Sequence, residues 1–158
     1  MTKEQKNDYT LRITQANSTE LVIILYDMTL CYLKDAKSCV EKRDFNNGTS
    51  QIRYAISCID ELQNGLHYEY ELAKNLKQIY LFIKKQLRNT IIYKHVDGID
   101  DAINKIESLK SAYEKIKVYD NSKPLMENSQ SVLTGITYNR GRILDSLTTE
   151  VASRGFTV

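Results

Sequence analysis

Apolar residues recur at helical spacing in four segments of the chain, separated by polar stretches. The first segment opens at Asn17, with Glu20 three residues on, a pairing that approximates a capping box. Leu21, Leu25, Met28, Tyr32, Ala36 and Cys39 follow on one face, and the pattern predicts a helix that ends near Arg43. The next stretch, DFNNGTS, marks a turn or a weak helix start. Ile52, Ala55, Ile56, Ile59, Leu62 and Leu66 form the second stripe. After a short break around Gly65 to Tyr68 the third takes in Leu72, Leu76, Ile79, Tyr80, Ile83, Leu87 and Ile91. Lys94 and His95 fall in its last turn, where positive charge suits the helix dipole. The fourth follows HVDGID, with Ile99, Ile103, Ile106, Leu109, Tyr113 and Ile116. No period-two run of β-branched residues is long enough for a sheet. Four amphipathic helices with short connections predict an all-α, antiparallel up-and-down four-helix bundle. The expected organisation is an N-terminal arm (1–16), the bundle (17–118), a linker (119–131) and a C-terminal tail (132–158).

The four stripes are unequal. At about 100° per residue, those of the second and fourth helices cover one core-facing side. The first helix carries a surplus: Val22, Tyr26, Thr29, Leu33 and Val40 lie beside its stripe, and Ile23 and Leu30 lie further round. On the third, Phe82 and Tyr93 flank the stripe and Leu81 lies nearly opposite. Two readings follow. Either the first helix is central and touches several neighbours, or the bundle carries an apolar groove for another chain. Both hold if a terminal segment fills the groove until a partner displaces it. Under the second reading the Leu21, Leu25, Met28 and Tyr32 side is core, and Val22, Tyr26, Leu30 and Leu33 need a changeable cover.

The chain's 158 residues fit one domain. A net charge of +2 gives little support for a nucleic-acid partner, and Lys84, Lys85, Arg88 and Lys94 read as a solvated helix face. The most apolar stretch, ELVIILYDMTLCYL, falls short of the roughly 20 residues that span a bilayer, and it contains Glu20 and Asp27. No membrane insertion is expected. Cys31, Cys39 and Cys58 form no metal or disulfide pattern and read as buried free thiols. The polar start, MTKEQKNDYT, is not a secretory signal, so the expected compartment is the cytoplasm. Catalytic chemistry is not indicated. His67 and His95 lack a glutamate three residues earlier, and there is no phosphate loop or nucleophile elbow. No catalytic residue, cofactor or metal is expected. The eleven tyrosines, which join apolar area to a polar tip, suit a recognition surface.

Three of these segments resemble a known family. ELVIILYDMTLCYLKDA resembles the first helix of FliS, the flagellin export chaperone, in which an apolar run enters Leu-Tyr-Asp-Gly. Leu25, Tyr26 and Asp27 match, and Met28 stands where glycine is usual. AISCIDELQNGL looks like the second helix, through Glu61, Leu62 and Leu66, and LAKNLKQIYLFIKKQLRN like the third, through Leu76, Tyr80 and Asn89. Tyr113 stands near where the family's closing helix often has a tryptophan. The resemblance covers residues 9 to about 118. It implies a non-enzymatic chaperone of type III flagellar export that binds the disordered C-terminal region of flagellin in apolar grooves of the bundle and prevents premature polymerisation. It also implies an N-terminal arm that lies over part of that surface. Further expected contacts are the flagellar export gate and a monomeric or weakly dimeric state.

The resulting protein-binding candidates are Tyr9, Leu11 and Ile13 as a displaceable arm, and Leu25, Tyr26, Leu62, Leu66, Leu76, Tyr80 and Ile83 from the family pattern or its helical neighbours. Val22, Leu33, Phe82 and Tyr93 come from periodicity alone. In the tail, NSQSVL (128–133) resembles a run near the end of many flagellins and raises the expectation of self-occupancy. Two alternatives use the same apolar surplus. One is a helical adaptor sequestering a transcription or secretion regulator, and the other is an oligomeric structural bundle.

Overall fold

A computed structural model describes residues 1–126 of the chain, and those residues form five helices. They are α1 (Lys3–Gln15), α2 (Ser18–Glu41), α3 (Phe45–Asn64), α4 (Glu71–Tyr93) and α5 (Asp97–Lys117). The fold is all-α, with no strand among the described residues. The tail and the end of the expected linker, including the NSQSVL run, lie outside them. No helix among the described residues is long and apolar enough to cross a membrane.

Local chemistry sets the helix ends. The Asn17 side chain accepts from the Glu20 N–H at 2.8 Å, and the Glu20 carboxylate accepts from the Asn17 N–H at 3.2 Å, completing the expected capping box of α2. Asp44 caps α3 by accepting from the Asn47 N–H, so the Asn-Asn-Gly run is helical rather than a turn. Gly48 sits where a side chain would press on Val40 at 3.1 Å, which permits the close approach of α3 to α2. Helix α4 ends at Tyr93, before the two residues expected in its last turn: Lys94 is left-handed at φ 57° and His95 lies beyond the helix. Lys94 instead stacks over Phe45, with its ammonium 4.8 Å from the ring centroid.

Helices α2 to α5 close into a four-membered ring, in which α2 and α4 each pack on both α3 and α5. Ion pairs fix the directions. Glu20–Lys117, Asp27–Lys110, Lys34–Glu107 and Lys37–Asp100 join α2 to α5 with numbering that rises on one and falls on the other. The stripes of α3, α4 and α5 meet inside, with Ile52, Ile59, Ile83, Leu87, Ile99 and Ile106 fully buried. Leu72 and Ile116, on the same stripes, are 66% and 51% exposed because they lie in the first turn of α4 and near the end of α5, at the rim of the bundle. Lys84 departs from the solvated face expected for it. It is buried, and its ammonium donates to Asp60 and to Gln63 at 2.7 Å each.

Helix α2 is rotated relative to the expected stripe. Tyr26, Thr29, Leu33 and Ala36 have no exposed surface, whereas Leu21, Leu25, Met28 and Cys39 are half-buried. The reason is that α2 has three neighbours, α3, α5 and α1, so apolar residues on nearly every side find cover. Two polar groups enter this core already satisfied. Thr29 Oγ1 donates to the Leu25 carbonyl at 2.7 Å, and Tyr26 pairs with Tyr80.

The N-terminal arm is a helix. A second capping box, between Thr2 and Gln5, starts α1, which lies along α2 alone. Only Thr14 of α1 is buried. Polar contacts hold the rest: the Met1 ammonium pairs with Asp35 and the Arg12 guanidinium with Asp27.

Candidate functional site

Antiparallel topology brings the start of α2, the end of α3, the start of α4 and the end of α5 to one end of the bundle. A cavity of roughly 300 Å³ opens there, lined by Leu21, Val22 and Leu25 of α2, Leu62, Gly65, Leu66 and His67 at the end of α3, Tyr80, Tyr113 and Leu125. At helical spacing Val22 continues the Tyr26–Thr29–Leu33 ridge of α2 to this end of the bundle, and with Leu21 and Leu25 beside it forms one wall. The opposite wall ends at Gly65, where α3 stops and the chain turns away. Exposed apolar residues cluster at the same end: Tyr68, Tyr70 and Leu72 before and within the start of α4, and Ile116, Val118 and Tyr119 after the last turns of α5.

Tyr80 and Tyr113 contribute to the floor, backed by the buried Tyr26. The Tyr26 and Tyr80 hydroxyls are 2.5 Å apart, and the Tyr113 ring stands edge-on to Tyr26 at 5.6 Å. Burial is the main cause that pushes each phenol upward, Tyr80 to about 12, and keeps them neutral hydrogen-bonding groups. No cluster of metal ligands occurs among the described residues. Cys58 is buried and its thiol is pushed up to about 11 by burial, which disfavours the reactive thiolate. The surface is built for apolar contact.

Five sequence-selected residues, Val22, Leu25, Leu62, Leu66 and Tyr80, come together in this cavity. Four others are corrected by the structure. Tyr26, Leu33, Leu76 and Ile83 are buried in the core and do not line the cavity, because neighbouring helices cover the faces they occupy. Phe82 and Tyr93 are exposed but lie elsewhere. Phe82 flanks a shallower α4–α5 groove lined by Ile79 and Leu109, with the Lys105 ammonium 5.1 Å from its ring. Tyr93 closes α4 at the opposite end of the bundle. In α1, Tyr9 and Ile13 are half-buried and Leu11 is 37% exposed, so the arm covers α2 without a deep apolar anchor.

Two features around the cavity, Asp27 and Leu125, are not among the binding candidates drawn from the sequence. Asp27 is a clasp: it takes Arg12 of α1 at 3.0 Å and Lys110 of α5 at 2.7 Å, and thereby holds both flanking helices on α2. Its carboxylate raises the Lys110 ammonium above the usual lysine value. Leu125 comes after all helical periodicity has ended. An isolated Leu-Met pair in a polar stretch is the only signal it gives.

A family model described as "Flagellar protein FliS" matches residues 1–119 of the chain. No curated protein matches it.

Proposed function

Since the chain belongs to the FliS family of flagellar export chaperones, we propose that it acts in the cytoplasm on flagellin. It binds the client's disordered C-terminal region, keeps it from polymerising early and helps deliver it to the export gate. The observation that carries this reading is the apolar cavity walled by Val22, Leu25, Leu62 and Leu66, with exposed apolar side chains gathered at the same end of the bundle. An extended or helical peptide gains by laying apolar side chains against such a surface and ordering there. That ordering costs conformational entropy, which limits affinity per unit area and suits a complex that has to release its cargo. Helix α1, held mainly by ion pairs and half-buried side chains, is the arm that yields to longer stretches of client.

Titration calorimetry of the full chain with a flagellin C-terminal peptide, and with full-length flagellin, tests the reading. Binding is expected with a strongly negative heat-capacity change, since apolar surface is buried. No binding of either at concentrations on the order of tens of micromolar overturns it.

A further inference from the structure

We propose that residues 120–125 are an intramolecular competitor for the end cavity, so that a client enters by exchange with Leu125. The proposal rests on the cavity being the client site described above. After α5 the chain does not continue outward. Backbone bonds from Tyr119 N–H to the Ile116 carbonyl and from Asp120 N–H to the Lys117 carbonyl turn it. The Asp120 carboxylate then accepts from the Ser122 N–H at 2.9 Å. Asn17 Nδ2 donates to the Ser122 carbonyl at 3.5 Å, and the Leu125 N–H donates to the Ala16 carbonyl at 2.9 Å. The segment therefore crosses the junction of α1 and α2 and sets Leu125 among the residues that line the cavity, with Val22, Leu66 and Tyr113.

Its attachment is shallow. Leu125 remains 56% exposed, and the main-chain tie of Leu125 is to a carbonyl that water or a client amide can serve equally well. Pro124 fixes its own φ and biases Lys123 toward extended backbone, so the segment loses little conformational freedom when it docks. Being covalently attached, it competes at high effective concentration despite a small contact. Apparent client affinity then falls by the fraction of molecules in which Leu125 stands at the cavity wall in the client's way. The geometry also suggests what replaces it: an extended client segment that offers a leucine-like side chain and a nearby N–H.

The test uses the full chain with Leu125→Asp. An aspartate is expelled from an apolar cavity, and because the position is more than half exposed the bundle keeps its fold. Calorimetry with a flagellin C-terminal peptide is expected to show affinity increased about three- to tenfold over the natural chain. Without any client, the methyl NMR signals of Val22 and Leu66 are expected to shift in the variant, reporting loss of Leu125 from the cavity wall. Equal or weaker affinity in the variant, with the natural chain binding normally, overturns the competitor. Unshifted methyl signals overturn the seat itself. If neither chain binds the peptide or full-length flagellin, the client reading fails, and the competitor fails with it.

Discussion

The Tyr26–Tyr80 pair offers a sharp test of how the core is arranged under the cavity. The two hydroxyls share one hydrogen bond at 2.5 Å, and both side chains are fully buried. In either single variant, Tyr26→Phe or Tyr80→Phe, the remaining hydroxyl is left in the core without its partner. The expected cost of each is about 2 kcal/mol, the desolvation of an orphaned group. The double variant removes both hydroxyls, leaves no orphan and costs about 1 kcal/mol, that of one net hydrogen bond. The cycle is thus non-additive by about 3 kcal/mol. Urea unfolding followed by circular dichroism, with unchanged denaturant dependence, measures all four corners. Additive costs would refute the reasoning.

Leu33→Ala, which removes a fully buried side chain, is expected to destabilise the bundle by about 2–5 kcal/mol in the same unfolding assay. A loss below about 1 kcal/mol would place Leu33 outside the core. Asp27→Asn weakens the ties to Arg12 and Lys110 together and is expected to cost about 1 kcal/mol. Amide exchange along α1 should accelerate more than along α3, and uniform acceleration would contradict the clasp. Alkaline pH should loosen the fold in a defined window. The Tyr80 phenol is raised from 10.0 unfolded to about 12 folded. Above pH 10 the unfolded chain therefore binds fewer protons than the folded one, and stability present in full below pH 10 is lost as pH rises toward 12. Unfolding free energies measured from pH 9 to 12 should fall over that window in the natural chain and fall less in Tyr80→Phe.

Much of the bundle was legible in the chain. The Asn17–Glu20 capping box marked the start of α2 within a residue, and the spacing of Ile52, Ile59, Leu62, Ile83, Leu87, Ile99 and Ile106 marked the inner faces of α3 to α5. Those helices each pack mainly on two neighbours, so one stripe and one core face coincide. The helicity of α1 had a local signal, the Thr2-x-x-Gln5 capping box, but a polar sequence concealed it. The candidate site was half legible. Val22 and Leu66 were drawn from periodicity and family pattern, yet the same reasoning selected Tyr26, Leu33, Leu76 and Ile83, which are core.

What the sequence determined by itself is local: where helices start and stop, and which residues share a face. A period of 3.6 residues fixes angles around one helix axis but carries no information about which neighbour meets each angle. Tertiary structure alone decided that the Tyr26–Leu33 ridge of α2 turns inward, because three helices surround it and Tyr80 meets the Tyr26 hydroxyl from a position 54 residues away. It alone brought Val22, Leu66 and Leu125 to one cavity, since their meeting depends on where α3 ends and how the chain turns after α5. Contacts between residues so distant in the chain leave no periodic trace, and the cavity they form is a property of the packed bundle.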